Sequence, residues 1–152
     1  MLYRLFQPAD FAQLYAIEEI CFQPPLRFSR AYMRRLVDSP TTATWIAEEN
    51  RQLDGFAIVD LEASSDPRAA YIQTLEVMPD SRRRGVGAEL LRRIESSAFE
   101  AGVRTIWLHV DTENSSAIRL YEAHGYTRQG REEHFYARHR PAFIHRKTIK
   151  SS

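Results

Sequence analysis

The spacing of apolar residues changes several times along the chain, and each change marks an element. Residues 2–6, Leu-Tyr-Arg-Leu-Phe, read as a short first strand. Phe11, Leu14, Ile17 and Cys21 then recur at helical spacing behind Pro8, which predicts a helix with Asp10 as its cap. Residues 22–28 contain Pro24-Pro25 and read as a loop. Ser29 is placed to cap a second, shorter helix whose inward face is Met33, Leu36 and Val37, with Pro40 beyond its end. Two strand patterns follow, residues 43–48 and 53–61, joined as a hairpin by the polar turn Glu49-Asn50-Arg51-Gln52.

Residues 63–68 are small, polar and Pro-containing, and predict a loop. Residues 70–77 read as a fourth strand leading into a long helix over 85–101, with Leu90, Leu91, Ile94 and Phe99 facing inward and Gly102 as a left-handed cap. Residues 105–110 form a fifth strand. Asn114 or Ser115 caps a helix carrying Ile118, Leu120 and Tyr121 towards Gly125. Residues 126–136 and 142–149 suggest two further strands around a loop containing Pro141. Strands and helices in this order imply an α/β fold, a mixed sheet with helices on both faces. At 152 residues, with no repeat or linker, the chain is expected to be a single domain over 1–152.

Charge and cysteine content narrow the class. Lys and Arg number 21 against 20 Asp and Glu, so no global field draws the chain to nucleic acid or an anionic membrane. Cys21 is alone, which rules out an intramolecular disulfide and a cysteine-built metal site, and no metal is expected. No apolar run reaches the length of a membrane span, and residues 1–4 lack the layout of a signal peptide. A soluble, cytoplasmic monomer or homodimer is the expectation.

The most informative stretch is Arg82-Arg83-Arg84-Gly85-Val86-Gly87, at a strand-to-helix junction. Two glycines allow the backbone close to a ligand, and the first amides of a helix have no partner within it. With the helix dipole they form an anion site suited to a pyrophosphate, with arginines at its rim. No Lys-Ser or Lys-Thr follows, which excludes a P-loop, and the third glycine of a dinucleotide fingerprint is absent. Taken alone, the stretch is equally a solvated basic turn.

The rest of the pattern carries more. Arg82-x-x-Gly85-x-Gly87 is followed by Trp107-Leu108-His109-Val110, and then by Asn114-x-x-Ala117-x-x-Leu120-Tyr121-x-x-x-Gly125-Tyr126. Over residues 71–126 the chain resembles the GNAT superfamily of acetyl-coenzyme A-dependent N-acetyltransferases. The resemblance implies a mixed, mostly antiparallel sheet in which the fourth and fifth strands are parallel and splayed. It also implies acetyl-coenzyme A as co-substrate, held by Leu75 and Val77 on the strand and by Arg82, Arg83, Arg84, Gly85, Val86, Gly87 and Ala88 on the turn. Asn114, Ala117 and Tyr121 would contact it from the last helix.

Within the superfamily the chain looks most like the protein N-terminal acetyltransferases, which include the ribosomal-protein alanine acetyltransferases. Tyr71-Ile72-Gln73-Thr74-Leu75 and Leu108-His109-Val110 resemble the eukaryotic and archaeal members of that branch. There, a tyrosine and a histidine at these two positions deprotonate the amine through an ordered water. The bacterial ribosomal enzyme has glutamate where His109 stands.

The reaction this implies needs a base, because an ammonium must lose a proton before it attacks a thioester, and an acid for the leaving thiolate. His109 suits the base by its ordinary pKa near 6.5, although a histidine in an apolar strand is also readily a structural one. The resemblance gives Tyr121 the role of acid; by composition it is equally a core aromatic. Glu76 is an alternative base. Strand alternation puts Tyr71, Gln73 and Leu75 on one face and Glu76 on the other, unless a bulge intervenes, and reads Glu76 as structural or as a helper to the arginines. Asn114 suits both a helix cap and a coenzyme contact.

Phe22, Pro24 and Leu26 resemble an acceptor-binding loop, and Phe135-Tyr136 stands where the branch often has Tyr-Tyr, with one hydroxyl missing. The acceptor is then a protein or peptide N-terminus or, alternatively, a small amine. A non-catalytic acetyl-coenzyme A-binding module is disfavoured by the joint presence of Tyr71, His109 and Tyr121. Few carboxylates lie near the acceptor segments, which argues against a polycation pocket.

Overall fold

In a computed structural model, which describes residues 1–65 and 68–150, seven strands form one sheet in the order β1-β2-β3-β4-β5-β7-β6. The strands are β1 (Leu2–Leu5), β2 (Thr42–Glu49), β3 (Gln52–Ser65), β4 (Arg68–Val77), β5 (Thr105–Asp111), β6 (Thr127–Ala137) and β7 (Arg140–Thr148). The helices are α1 (Phe11–Cys21), α2 (Arg30–Asp38), α3 (Val86–Glu100) and α4 (Ser115–Ala123). All neighbouring strands are antiparallel except β4 and β5, which are parallel. Parallel neighbours need a long crossover, and α3 supplies it.

Alternation along β3 separates two apolar clusters. Phe56 and Ile58 pack with Phe11, Leu14, Ile17 and Met33 of α1 and α2. Ala57 and Val59 face the other way, into a cluster with Leu90, Leu91 and Ile94 of α3 and with Leu108 and Val110 of β5. Leu90, Leu91 and Ile94 are at most 1% exposed, and each such burial stabilises by roughly 1.5–3 kcal/mol.

Local signals explain most boundaries. The Ser29 side chain accepts from the Tyr32 amide, and Asn114 from the Ala117 amide, so both helices start at a side-chain cap. Asn50 and Arg51 both have left-handed φ, as a two-residue hairpin turn requires. Four expectations are corrected. Asp10 does not cap α1; its carboxylate accepts from Arg4 and from the Gln7 amide, and the Arg4 guanidinium holds it below the usual carboxylate range. The loop expected over 63–68 is shorter, because Ser64 and Ser65 pair with Ala69 and Arg68; residues 66 and 67 lie outside the described residues. Pro141 lies within β7, since Ala137 pairs directly with Arg140 across a tight turn. The fourth concerns β4.

Between the pairs Ile58↔Thr74 and Val59↔Ile72, β4 carries one extra residue, Gln73, opposite nothing. This bulge flips the alternation. Paired residues share a face, so Tyr71, opposite Asp60, emerges on the same side as Thr74 and Glu76, while Ile72 and Leu75 face α3. Glu76 does not meet the arginine cluster, because the bulge directs it beneath α1 instead.

Candidate active site

β4 and β5 pair through only three positions, Ala70↔Ile106, Tyr71↔Trp107 and Ile72↔Leu108. Beyond them the two strands continue unpaired, and a cleft of about 870 Å³ opens against their ends. Leu75, Glu76 and Val77 of β4 and Asp111 of β5 line it. Arg82, Arg83, Gly85, Gly87 and Ala88 of the junction into α3 form a second wall. Asn114, Ala117 and Tyr121 of α4 form a third, and Phe22, Pro24 and Leu26 close the side nearest α1.

The junction is shaped for an anion. Arg83 and Gly85 both have left-handed φ, 65° and 80°, and Gly85 is the residue that starts α3. The amides of Val86, Gly87 and Ala88 therefore open the helix, with the positive end of its dipole at the cleft. Gly87 leaves room: a Cβ there would lie 3.2 Å from Leu120 and 3.7 Å from Leu75. Arg82 is tied to the end of β4 by a bond to the Val77 carbonyl. Two expected residues are placed differently. Arg84 turns away to pair with Glu49 at 3.0 Å, and the Val86 side chain is buried in the core, leaving only its backbone at the junction.

Tyr71 and His109 are not among the residues lining this cleft, yet the bulge brings them together. Tyr71 Oη lies 2.7 Å from His109 Nδ1, a direct contact with no water between these two atoms. His109 Nε2 lies 2.9 Å from a carboxylate oxygen of Glu132. Phe135 stacks flat on the imidazole, with ring centroids 3.9 Å apart and planes 3° from parallel. Burial pushes His109 below its ordinary pKa, and Glu132 works against that shift. Burial also pushes Tyr71 up to about 12. Tyr71 is near enough to Tyr121 and Tyr136 that its charge would raise both.

β6 makes that arrangement. Between the pairs Glu132↔Ala142 and Ala137↔Arg140 it carries several extra residues, and His134 within them has a φ of 61°. The protruding segment presents Phe135 to His109 and tucks Tyr136 in half-buried, while Glu132, still paired with Ala142 just before it, reaches the imidazole from the strand. Glu132 has no signal in a single sequence, since it is one of several charged residues in an exposed strand.

Tyr121 is 6% exposed, and burial raises its pKa well above that of a free tyrosine, so the hydroxyl keeps its proton at any physiological pH. Glu76, 2% exposed, faces Glu18 of α1 and accepts from the Thr74 hydroxyl at 2.6 Å. Oε1 of Glu76 and Oε1 of Glu18 have no other donor, and burial with the facing carboxyl pushes Glu76 far above the usual range. Glu18 Oε2 in turn accepts from the Phe28 amide, tying the 22–28 loop to this pair. Among the described residues no cluster suits a metal ion, and no helix is long and apolar enough to cross a membrane.

Residues 11–126 match the acetyltransferase (GNAT) family. The chain belongs to that family. It is 26% identical over 126 residues to N-alpha-acetyltransferase 60 of Xenopus tropicalis, covering 70% of this chain and 52% of that protein. It is 31% identical over 88 residues to the ribosomal protein bS18-alanine N-acetyltransferase of Escherichia coli K12, covering 58% and 57%. The chain thus spans little more than half the length of these curated relatives. Among solved structures, the ribosomal-protein-S18-alanine N-acetyltransferase from Escherichia coli superposes with a TM-score of 0.84 at 24% identity, over 99% of this chain and 95% of that one. The aminoglycoside 6'-N-acetyltransferase from Enterococcus faecium gives 0.81 at 17%, over 100% and 99%. At these identities the superpositions establish the GNAT fold, with its parallel β4–β5 pair.

Proposed function

We propose that the protein transfers the acetyl group of acetyl-coenzyme A to the N-terminal amine of a protein or peptide. The observation that carries this is the cleft between the diverging ends of β4 and β5, with a helix N-terminus at one wall and a protonated Tyr121 at another. The pyrophosphate fits the amides from Arg83 through Ala88, as an anion fits any helix start. Leu75 and Val77 offer an apolar strand end to the rest of the coenzyme, and the Asn114 end of α4 lies opposite.

In this reading the amine loses its proton to the Tyr71–His109 pair and attacks the thioester carbonyl directly. The carbon–nitrogen bond forms, the carbon–sulfur bond breaks and Tyr121 donates its proton to the departing sulfur; the acylated nitrogen then sheds its second proton, which restores the Tyr121 hydroxyl. Glu76 is a poor base by comparison, since it is buried and accepts from the Thr74 hydroxyl, facing Glu18 rather than an open acceptor space. A peptide acceptor suits the Phe22–Pro24–Leu26 side of the cleft and the protruding Phe135–Tyr136 segment. Glu76, Asp111 and Glu113 line the cleft; Glu76 is buried facing Glu18, and Arg140 pairs with Asp111 at 2.7 Å and with Glu113 at 3.6 Å. That favours a peptide over a polycation. The unpaired Cys21 thiol fits a reducing, cytoplasmic setting.

The test is an acetylation assay with mass readout, in which a library of free-amine peptides is set beside polyamines and aminoglycosides. Transfer to peptide N-termini with selectivity for the first residues supports the proposal. Turnover confined to the small amines overturns the acceptor and leaves the acetyl-coenzyme A chemistry standing.

A further inference from the structure

The Tyr71–His109 contact has a third member. We propose that Glu132 is the positioning carboxylate of this pair, holding His109 in the tautomer whose Nδ1 is free to take the Tyr71 proton. The inference rests on the proposed role of Tyr71 and His109, and it follows from donor and acceptor counting. A neutral imidazole has one N–H and one lone pair, and an ionised carboxylate can only accept. With Glu132 Oε2 at 2.9 Å, Nε2 must carry the hydrogen. Nδ1 then offers its lone pair, and the Tyr71 hydroxyl at 2.7 Å donates to it.

This fixes the direction of proton flow. The ammonium N–H breaks as an O–H forms on Tyr71, while the original Tyr71 O–H breaks and an N–H forms on His109 Nδ1. Tyr71 ends neutral, which matters because burial makes a tyrosinate costly there. His109 ends as an imidazolium whose Nε2–H points at a carboxylate. Glu132 is half exposed, so the proton has a route to solvent. Without Glu132, Nε2 would face water, the two tautomers would mix, and a share of the molecules would set Nδ1–H against the Tyr71 hydroxyl.

Among the described residues, the surroundings leave no competing partner. Phe135, stacked on the ring, blocks rotation out of its plane. Tyr71 of β4 and Tyr136 of β6 are the ionisable groups beside it, and burial pushes both upward, so each keeps its proton; Tyr32 of α2 lies next to Tyr71. Asp111, two residues along β5, is bound to Arg140 of β7. Burial lowers the His109 pKa, and the Glu132 carboxylate is the charge that opposes it.

The experiment follows the His109 ring by long-range nitrogen–proton NMR through a pH titration of the parent protein, Glu132→Gln and Glu132→Ala, with no acceptor present. The parent is expected to show the Nε2–H tautomer. Both variants should titrate at lower pH, because the carboxylate that raises His109 is gone. Only Glu132→Ala should gain the Nδ1–H form, since glutamine can still accept from Nε2. Identical titrations and tautomers in all three would overturn the inference. Rates with acetyl-coenzyme A and a peptide that the parent acetylates separate the levels of the argument. The acid limb of kcat/KM should move to lower pH in Glu132→Gln, and Glu132→Ala should lose on the order of 10²-fold. If His109→Ala keeps the parent limb, the base assignment fails; if it loses the limb while Glu132→Ala behaves as the parent, only the role of Glu132 fails.

Discussion

Tyr121 combines two properties that seldom coincide, contact with a ligand-sized cleft and near-complete burial. Burial keeps its proton in place, which suits a donor and disqualifies a base. Tyr121→Phe removes the proton and keeps the ring in the core, so kcat should fall by roughly 10²–10⁴-fold with acetyl-coenzyme A affinity almost unchanged. Stopped-flow turnover beside calorimetric titration with the coenzyme reads both, and a parent-like kcat with chemistry rate-limiting would remove Tyr121 from the mechanism. At this scale the sequence was partly legible. Tyr71, His109 and Tyr121 stood out because their positions match a known pattern, whereas Glu132 and Glu18 did not. Their significance comes from what they face across the fold, and a lone carboxylate in an exposed strand or an amphipathic helix gives no sign of its partner.

Among the elements, α3 makes the sharpest commitment. On the proposed reading its first turn stays open to a phosphate, which would account for Gly85 at the left-handed entry and for Gly87 beside the cleft. Gly87→Glu puts a bulky anion against Leu120 and Leu75 and over the same amides. Acetyl-coenzyme A binding should be abolished in calorimetry while thermal unfolding shifts only modestly; undiminished binding would move the pyrophosphate elsewhere. Helices and hairpins were readable in the chain because caps, turns and apolar spacing are local. The Ser29 and Asn114 caps and the Asn50-Arg51 turn lie where their residue types predict. Bulges were not readable. Nothing in Tyr71-Ile72-Gln73-Thr74 says that Gln73 is skipped, because the cause is the register with β3, and that one skip decides which face Tyr71 and Glu76 share. The protrusion of β6 is hidden for the same reason, and with it the placement of Phe135 on His109; Glu132 is hidden because its place depends on the β6–β7 register.

For the whole molecule, the Glu18–Glu76 pair links α1 to β4 and makes stability depend on pH in a definite direction. Glu76 is raised in the folded state, so its contribution is full below the ordinary carboxylate pKa and is lost as pH rises towards its folded value. Glu76→Gln keeps a neutral group there and should flatten that loss. Urea unfolding from pH 5 to 9 should show the variant gaining on the parent as pH rises; parallel curves would mean that the Glu76 carboxyl is not raised in the folded protein. The sheet between these layers has a consequence of its own. β3 sends Phe56 and Ile58 into one apolar cluster and Ala57 and Val59 into the other, so a single stretch of backbone is the wall common to two rooms. On the proposed reading, the α1–α2 side would frame the acceptor and the α3 side the coenzyme, so the two halves of the site share this strand and are expected to melt together.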